Sequence, residues 1–290
     1  MNPVPLTSGG PTFSRIIAGA WRWTLPVNEV EGLIHRALDV GMTTFDHADI
    51  YGDHQNEQLF GSVIERTPSL RHKMQLITKC GIMLVSVHRP STWIKHYNTS
   101  RSHIEWSAEN SLKMLHTDHI DLLLIHRPDP MLDPHEVAEA FTALKRDGKV
   151  LHFGVSNFTT AQFEMLQSYL DFPLVTNQLE ISLSHHQAML DGTLDDLMRR
   201  RVAPMAWSPL GGGKLVKEPN DILSAKAAKY KATPSQLLLA WLLRHPARIF
   251  PIIGTSKPDR LSDAAAARDI QLDRQDWFDL WKAATGQHVA

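Results

Sequence analysis

Eight short apolar or β-branched runs recur along this 290-residue chain, and amphipathic stretches with helical spacing separate them. The runs expected as strands are Ile16–Trp21, Thr43–Ala48, Gln75–Cys80, Ile120–His126, Val150–Ser156, Leu174–Leu179, Ala203–Ser208 and Ile249–Gly254. The helical stretches are Val27–Val40, Asn56–Arg66, Ser102–Leu115, Pro134–Arg146, Thr160–Leu170, His186–Arg200, Ser224–Tyr230, Pro234–Arg244 and Pro258–Ala267. Asp133-Pro134 and Thr233-Pro234 each set a capping side chain before a proline suited to the first helical position. Near-continuous apolar strands joined by helical crossovers imply parallel pairing buried on both faces, in either a closed barrel or a doubly wound open sheet. The count and spacing favour the α/β class as a (β/α)8 barrel.

Two pieces fall outside the eightfold pattern. Pro5 to Phe13, with Ser8-Gly9-Gly10 at its middle, reads as an N-terminal β-hairpin able to plug the barrel bottom, and Arg274 to Ala284 reads as an extra C-terminal helix carrying Trp277, Phe278 and Trp281. No Ser/Gly-rich linker or shift of composition divides the chain, which predicts one domain over residues 1–290.

Thirty Lys and Arg against 31 Asp and Glu leave no overall field to attract nucleic acid or an anionic membrane surface. The apolar runs fall far short of the ~20 residues a spanning helix needs. A single cysteine, Cys80, permits no internal disulfide, and the opening residues lack the layout of a signal peptide. The expectation is a soluble cytoplasmic protein acting on a small molecule. Oligomeric state is not set by the sequence, and a monomer is compatible with it.

In such a barrel the working groups lie at the carboxyl ends of strands and in the loops beyond them. Polar residues gather there: Asp46 and Tyr51 (FDHADIYG), Lys79 (LITKC), His126 (LLLIHRP), Ser156 and Asn157 (GVSNF), Gln178 (TNQLE), Ser208 (AWSP), and Gly254, Thr255 and Ser256 (IIGTS). Reducing a carbonyl requires hydride on carbon and a proton on oxygen. A phenol with a pKa of about 10 is a weak acid, but a nearby ammonium lowers that value and a carboxylate keeps the ammonium charged. Asp46, Lys79 and Tyr51 can therefore act as one unit, with His126 donating a hydrogen bond to the carbonyl oxygen. Taken singly, each has a plainer reading: Asp46 a turn cap, Tyr51 a rim aromatic, His126 a satisfied core histidine. Their joint occurrence at separate strand ends carries the argument.

The loops after strands seven and eight, SPLGGGK (Ser208–Lys214, including Leu210 and Gly211) and GTSKPDRL (Gly254–Leu261), lie where barrels bind phosphate, and no GxGxxG follows the first strand. Glycines admit a pyrophosphate, while Lys257 and Arg260 supply charge for a 2′-phosphate, which favours NADPH over NADH. Trp21, at the end of strand one, is expected near the nicotinamide. The pocket walls are expected from Trp21, Trp23, the long segment from Ile82 to Tyr97, and Asp129.

The segments GMTTFDHADIYG, ITKCG, DLLLIHRPDP and GVSNF resemble, in order and spacing, the motifs of the aldo-keto reductases, and the likeness spans nearly the whole chain. It resembles the bacterial-type oxidoreductases more than the mammalian aldose reductases. The resemblance implies a tetrad of Asp46, Tyr51, Lys79 and His126 with Tyr51 as general acid. It also implies Ser156, Asn157 and Gln178 on the nicotinamide carboxamide, and Trp207 stacked on the nicotinamide face. His47 stands where that family usually has threonine, and Asp49 adds a carboxylate. Asp263-Ala264 replaces a frequent Glu-Asn, so that Asp263 is left to meet the adenosine end. Two rivals compete with this reading. One is an NADPH-binding redox-sensing or interaction protein with low turnover. The other is a metal-dependent hydrolase, disfavoured because no H-x-H follows strand one.

Overall fold

The computed structural model describes residues 3–286 and 288. Its centre is a closed barrel of parallel strands: β3 (Ile17–Gly19), β4 (Thr44–Asp46), β5 (Gln75–Cys80), β8 (Ile120–Ile125), β9 (Val150–Ser156), β10 (Leu174–Glu180), β11 (Met205–Trp207) and β12 (Phe250–Ile253). These are the eight runs expected, with the first, second, seventh and eighth strands trimmed at both ends and the fourth stopping one residue short, at Ile125. The barrel closes where β12 meets β3, with Ile252 opposite Ile17 and Ile253 opposite Ala18.

That seam is stitched by side chains. Arg15 donates through Nη1 to the carbonyls of Arg248 and Ile249, and through Nη2 to that of Leu243. The Trp23 indole Nε1 donates to the Thr255 carbonyl at 2.7 Å. Trp23, expected in the pocket wall, is instead a buried core residue packed on Phe45 and Phe60. Its ring turns under the barrel's rim because the indole N–H finds a backbone acceptor there.

The hairpin forms as β1 (Val4–Pro5) and β2 (Thr12–Phe13), with Val4 opposite Phe13. It places Leu6 and Phe13 in one buried cluster with the inward residues Ile17, Ile77, Leu122, Leu124, Val175, Met205 and Ile252. Inward side chains alternate along each strand, so apolar layers fill the lower barrel while Asp46, Lys79 and His126 emerge above them on the same faces.

Around the strands lie α1 (Val27–Asp39), a short kinked α2 (Tyr51–His54), α3 (Asn56–Arg66), α4 (Arg101–Met114), α5 (Pro134–Arg146), α6 (Thr160–Gln167), α7 (Thr193–Arg199), α8 (Lys214–Lys217), α9 (Asp221–Lys229), α10 (Pro234–Leu243), α11 (Pro258–Ala266) and α12 (Arg274–Thr285). Asp133 caps α5 by accepting from the His135 amide, and Thr233 forms a reciprocal capping box with Gln236 at α10. The helix expected over His186–Arg200 is broken. A single 3-10 turn, Gln187–Met189, precedes α7, because Gly192 sits at φ 84° and Asp191 caps the new helix start. On α12, Trp277 stacks on Trp241 with centroids 4.6 Å apart, and each indole donates to the other residue's carbonyl.

The long segment after β5 carries a ladder that its sequence does not announce: β6 (Ile82–Met83) pairs antiparallel with β7 (His96–Tyr97). No helix among the described residues is long and apolar enough to cross a membrane.

Candidate active site

Strand alternation delivers a carboxylate and an amine to adjacent strand ends, and their side chains meet at the mouth. Lys79 Nζ donates to Asp46 Oδ2 at 2.7 Å, to the His47 carbonyl at 2.7 Å and to the Tyr51 hydroxyl at 3.1 Å. All three hydrogens of the ammonium thus have an acceptor. Lys79 is completely buried. Burial works against its charge, but Asp46 and Tyr51 together hold the ammonium above the ordinary lysine value.

Tyr51 reaches this amine from α2, where Gly52, Asp53 and His54 all adopt positive φ. Glycine accepts that backbone freely. Asp53 and His54 do so at a cost that α2's position next to the site must offset. Burial pushes the Tyr51 phenol above its usual value, and Lys79 pulls the other way without reversing the shift. The expectation of a net lowered phenol is therefore corrected: desolvation outweighs the neighbouring charge, and Tyr51 is fully protonated at neutral pH.

His126 lies edge-on to Tyr51, ring centroids 5.9 Å apart. Burial first, then the charges of Lys79, Arg127 and Lys95, hold its imidazole well below the usual histidine range, so it is neutral. Its Nδ1 is buried without a hydrogen-bond partner.

A second chain of hydrogen bonds joins the first. The Trp207 indole donates to Asn157 Oδ1 at 2.9 Å, Asn157 Nδ2 donates to Ser156 Oγ at 2.7 Å, and Ser156 Oγ donates to the Gln178 carbonyl at 2.8 Å. Gln178 Nε2 in turn donates to Asp46 Oδ1 at 2.9 Å, which commits that nitrogen to the carboxylate. Asn157 and Ser208 both sit at positive φ directly beyond strand ends, where the chain turns sharply.

The two loops at the seam form the other half of the mouth. Gly211, Gly212 and Gly213 all have positive φ, and the last two face open space. Leu210 packs beneath them against the core. Trp21 is half exposed and lies against Gly254, where a methyl group would collide with its indole. Thr255 is buried and its hydroxyl accepts from the Lys257 amide at 3.1 Å, while Ser256, Lys257 and Arg260 project around the start of α11. Asp263 is turned elsewhere: its carboxylate accepts from the Thr233 and Ser235 hydroxyls at the start of α10, and Ala264 is in the core.

Asp129, expected in the pocket wall, uses its oxygens on the Thr99 hydroxyl at 2.9 Å and the Met131 amide at 2.8 Å. It thereby fastens the returning limb of the long segment to the loop after β8. One residue not singled out from sequence also stands near the site: Glu57 is buried, held by Thr78 and Ser111, and pushed up to about 7 by burial. Asp49, the added carboxylate, is pushed up to about 8 by burial and by Glu57. Glu57 shares helical spacing with Phe60, Gly61 and Ile64 on the inward face of α3, a signal available in the sequence.

The Aldo/keto reductase family model matches residues 15–284. The chain is 48% identical over 288 residues to the uncharacterized oxidoreductase YcsN of Bacillus subtilis, covering 96% of each chain. It is 43% identical to a 6-dehydroglucose reductase of Agrobacterium fabrum, again over 96% of both. A crystal structure of an aldo/keto reductase from Klebsiella pneumoniae in complex with NADP and acetate superposes with a TM-score of 0.82 at 24% identity, covering 98% of this chain and 96% of that one. With the eight-stranded barrel and a family match along nearly its full length, this chain belongs to the aldo/keto reductase family, whose members are oxidoreductases.

Proposed function

We propose that this chain is an NADPH-dependent reductase of small aldehydes and ketones, with Tyr51 as general acid, working in the cytoplasm as a single domain. The observation that carries the reading is the Lys79 ammonium held between Asp46 and the Tyr51 hydroxyl. When bound, the dihydronicotinamide supplies a hydride to the carbonyl carbon. Tyr51 gives its proton to the carbonyl oxygen, and the ammonium 3.1 Å away favours the phenolate left behind. Asp46 keeps the amine charged and fixed. His126, neutral, donates a hydrogen bond that orients the carbonyl.

The residues present fit the dinucleotide. Three successive glycines with positive φ, two of them facing open space, leave room for a pyrophosphate. Lys257 and Arg260 are exposed beside the first turn of α11, whose amides favour an anion, and suit the 2′-phosphate. Ser156, Asn157 and Gln178 would hold the carboxamide, with Trp207 and Trp21 flanking the ring. The Klebsiella relative, crystallised with NADP, supports the same choice. Ser208, Gly254, Thr255 and Ser256 would complete the cradle.

Steady-state NADPH oxidation with 4-nitrobenzaldehyde tests the reading. Turnover that follows the aldehyde concentration and disappears with Tyr51→Phe is expected; no oxidation by the wild type across a panel of aldehydes and ketones would overturn it.

A further inference from the structure

Arg127 follows His126 at the end of β8, and its guanidinium crosses the mouth above the ends of β9 and β10 to lie over the Trp207 ring, 5.2 Å from its centroid. The side chain is half-buried, yet no carboxylate among the described residues stands within ion-pair distance of it. A partly desolvated charge without a partner is costly, and such groups are kept where a partner arrives later. The acids nearby are already committed. Asp46 serves Lys79 and Gln178, Asp49 accepts from Ser107, and Asp129 accepts from Thr99 and the Met131 amide. Lys95, exposed on the segment between β6 and β7, adds a second positive charge felt at His126. Lys79 and Asp46 pair with each other, so neither is available to Arg127.

Resting on the reductase reading, we propose that Arg127 is the specificity residue of the site and that its substrate is a carbonyl compound bearing a carboxylate. With the guanidinium over Trp207 and no hydrogen bond from it to another described residue, its N–H groups remain for a ligand, and a carboxylate matches that fork with two parallel hydrogen bonds. The carboxylate is distinct from the reacting carbonyl. The latter goes to Tyr51 and His126, while the former lies toward Trp207 and fixes which way the substrate enters.

The test compares 4-carboxybenzaldehyde with methyl 4-formylbenzoate, which share the ring and differ in the charge. Wild-type kcat/KM should favour the acid by about tenfold, the worth of one charge-assisted contact, and the advantage should shrink as salt is raised. Arg127→Met keeps the apolar stack on Trp207 and should bring the ratio close to one. Arg127→Lys, which keeps the charge without the fork, should give an intermediate ratio. A second readout needs neither cofactor nor turnover. Quenching of tryptophan fluorescence by 4-carboxybenzyl alcohol should occur at lower concentration than by benzyl alcohol, and only when Arg127 is present. Reduction of both aldehydes with equal kcat/KM would overturn the inference and leave the reductase reading standing. If neither aldehyde is reduced, nor any in the wider panel of aldehydes and ketones, that reading falls, and the fluorescence titration still decides the role of Arg127: equal quenching by the two alcohols overturns it. Should Arg127→Met fail to fold, a wild-type acid advantage insensitive to salt has the same force.

Discussion

Gln178 and Asp46 lie 132 residues apart in sequence, and the amide nitrogen of the first donates to Oδ1 of the second at 2.9 Å. The other oxygen of the same carboxylate accepts from Lys79. Asp46 is thereby shared between the proton-delivering group and the run of side chains that reaches through Ser156 and Asn157 to Trp207. A disturbance on one side reaches the other through the hydrogen bonds that meet on this single carboxylate.

Tyr51→Phe removes the transferable proton and keeps the ring. Turnover should fall about 10²-fold or more, the range for a positioned general acid, with the NADPH dissociation constant nearly unchanged by fluorescence titration. Wild-type turnover in this variant would show that another group delivers the proton.

Lys79→Met leaves Asp46 buried without its cation. Breaking a buried ion pair in this way costs roughly 3–5 kcal/mol, and neutralising both partners recovers much of the loss. Urea titrations of Lys79→Met and of the Asp46→Asn, Lys79→Met double variant should therefore show the single change to be the more damaging. The opposite order would mean that the pair contributes little to the fold.

Replacing Lys257 and Arg260 by methionine should raise KM for NADPH much more than for NADH, since only the former carries the 2′-phosphate. Steady-state kinetics with both cofactors decides this, and equal losses would assign the two cations to some other role.

The buried acids set a pH dependence of stability. Asp49 is raised to about 8 and Glu57 to about 7, mainly by burial, against about 4 in an unfolded chain. Between those values the folded protein holds protons that the unfolded chain has released, so stability is full below pH ~4 for this contribution and is lost as pH rises through the folded values. His47, lowered to about 3 by burial and Lys79, acts in the opposite sense and only as pH falls below ~6.5. His126 and His103 are lowered by burial as His47 is and oppose the acids until the unfolded histidines have lost their protons, so the acids dominate from about pH 7.5 to 8.5, at no more than about 1.4 kcal/mol per pH unit for each. Urea midpoints should fall over that interval in the wild type and fall less in Asp49→Asn. A midpoint that rises instead would contradict the assignment.

Gly254→Ala would drive a methyl group into the Trp21 indole. We expect a raised KM for NADPH with the melting temperature little changed, because the half-exposed ring can move outward while the core does not. An unaltered KM would remove Trp21 from the cofactor's surroundings.

Much of this architecture was legible because strand and helix periods differ, and because capping residues such as Asp133 and Thr233 mark helix starts without ambiguity. The residues brought together at the mouth were legible for a related reason: a polar side chain closing an apolar strand has few places to go but inward and up. Other features depend on depth or on partners far away in sequence. Trp23 reads as a rim aromatic until the Thr255 carbonyl is seen beneath it. The direction of the Tyr51 shift turns on how completely the ring is buried, which no spacing encodes. Two-residue ladders such as Ile82–Met83 with His96–Tyr97 are too short to leave a period at all. Arg127 carries no signal in the sequence, because its importance lies in the absence of a partner.

The stitched seam bears on how the chain matures during synthesis. Trp23 waits for an acceptor 232 residues downstream, and Arg15 for one 233 residues downstream. Until β12 emerges from the ribosome, β3 presents an unpaired parallel edge, and the nascent sheet is an open ribbon exposed to chaperones and to other nascent chains. The barrel cannot close before β12 is made, and a chain cut short before Phe250 would be left with two raw edges rather than a smaller barrel.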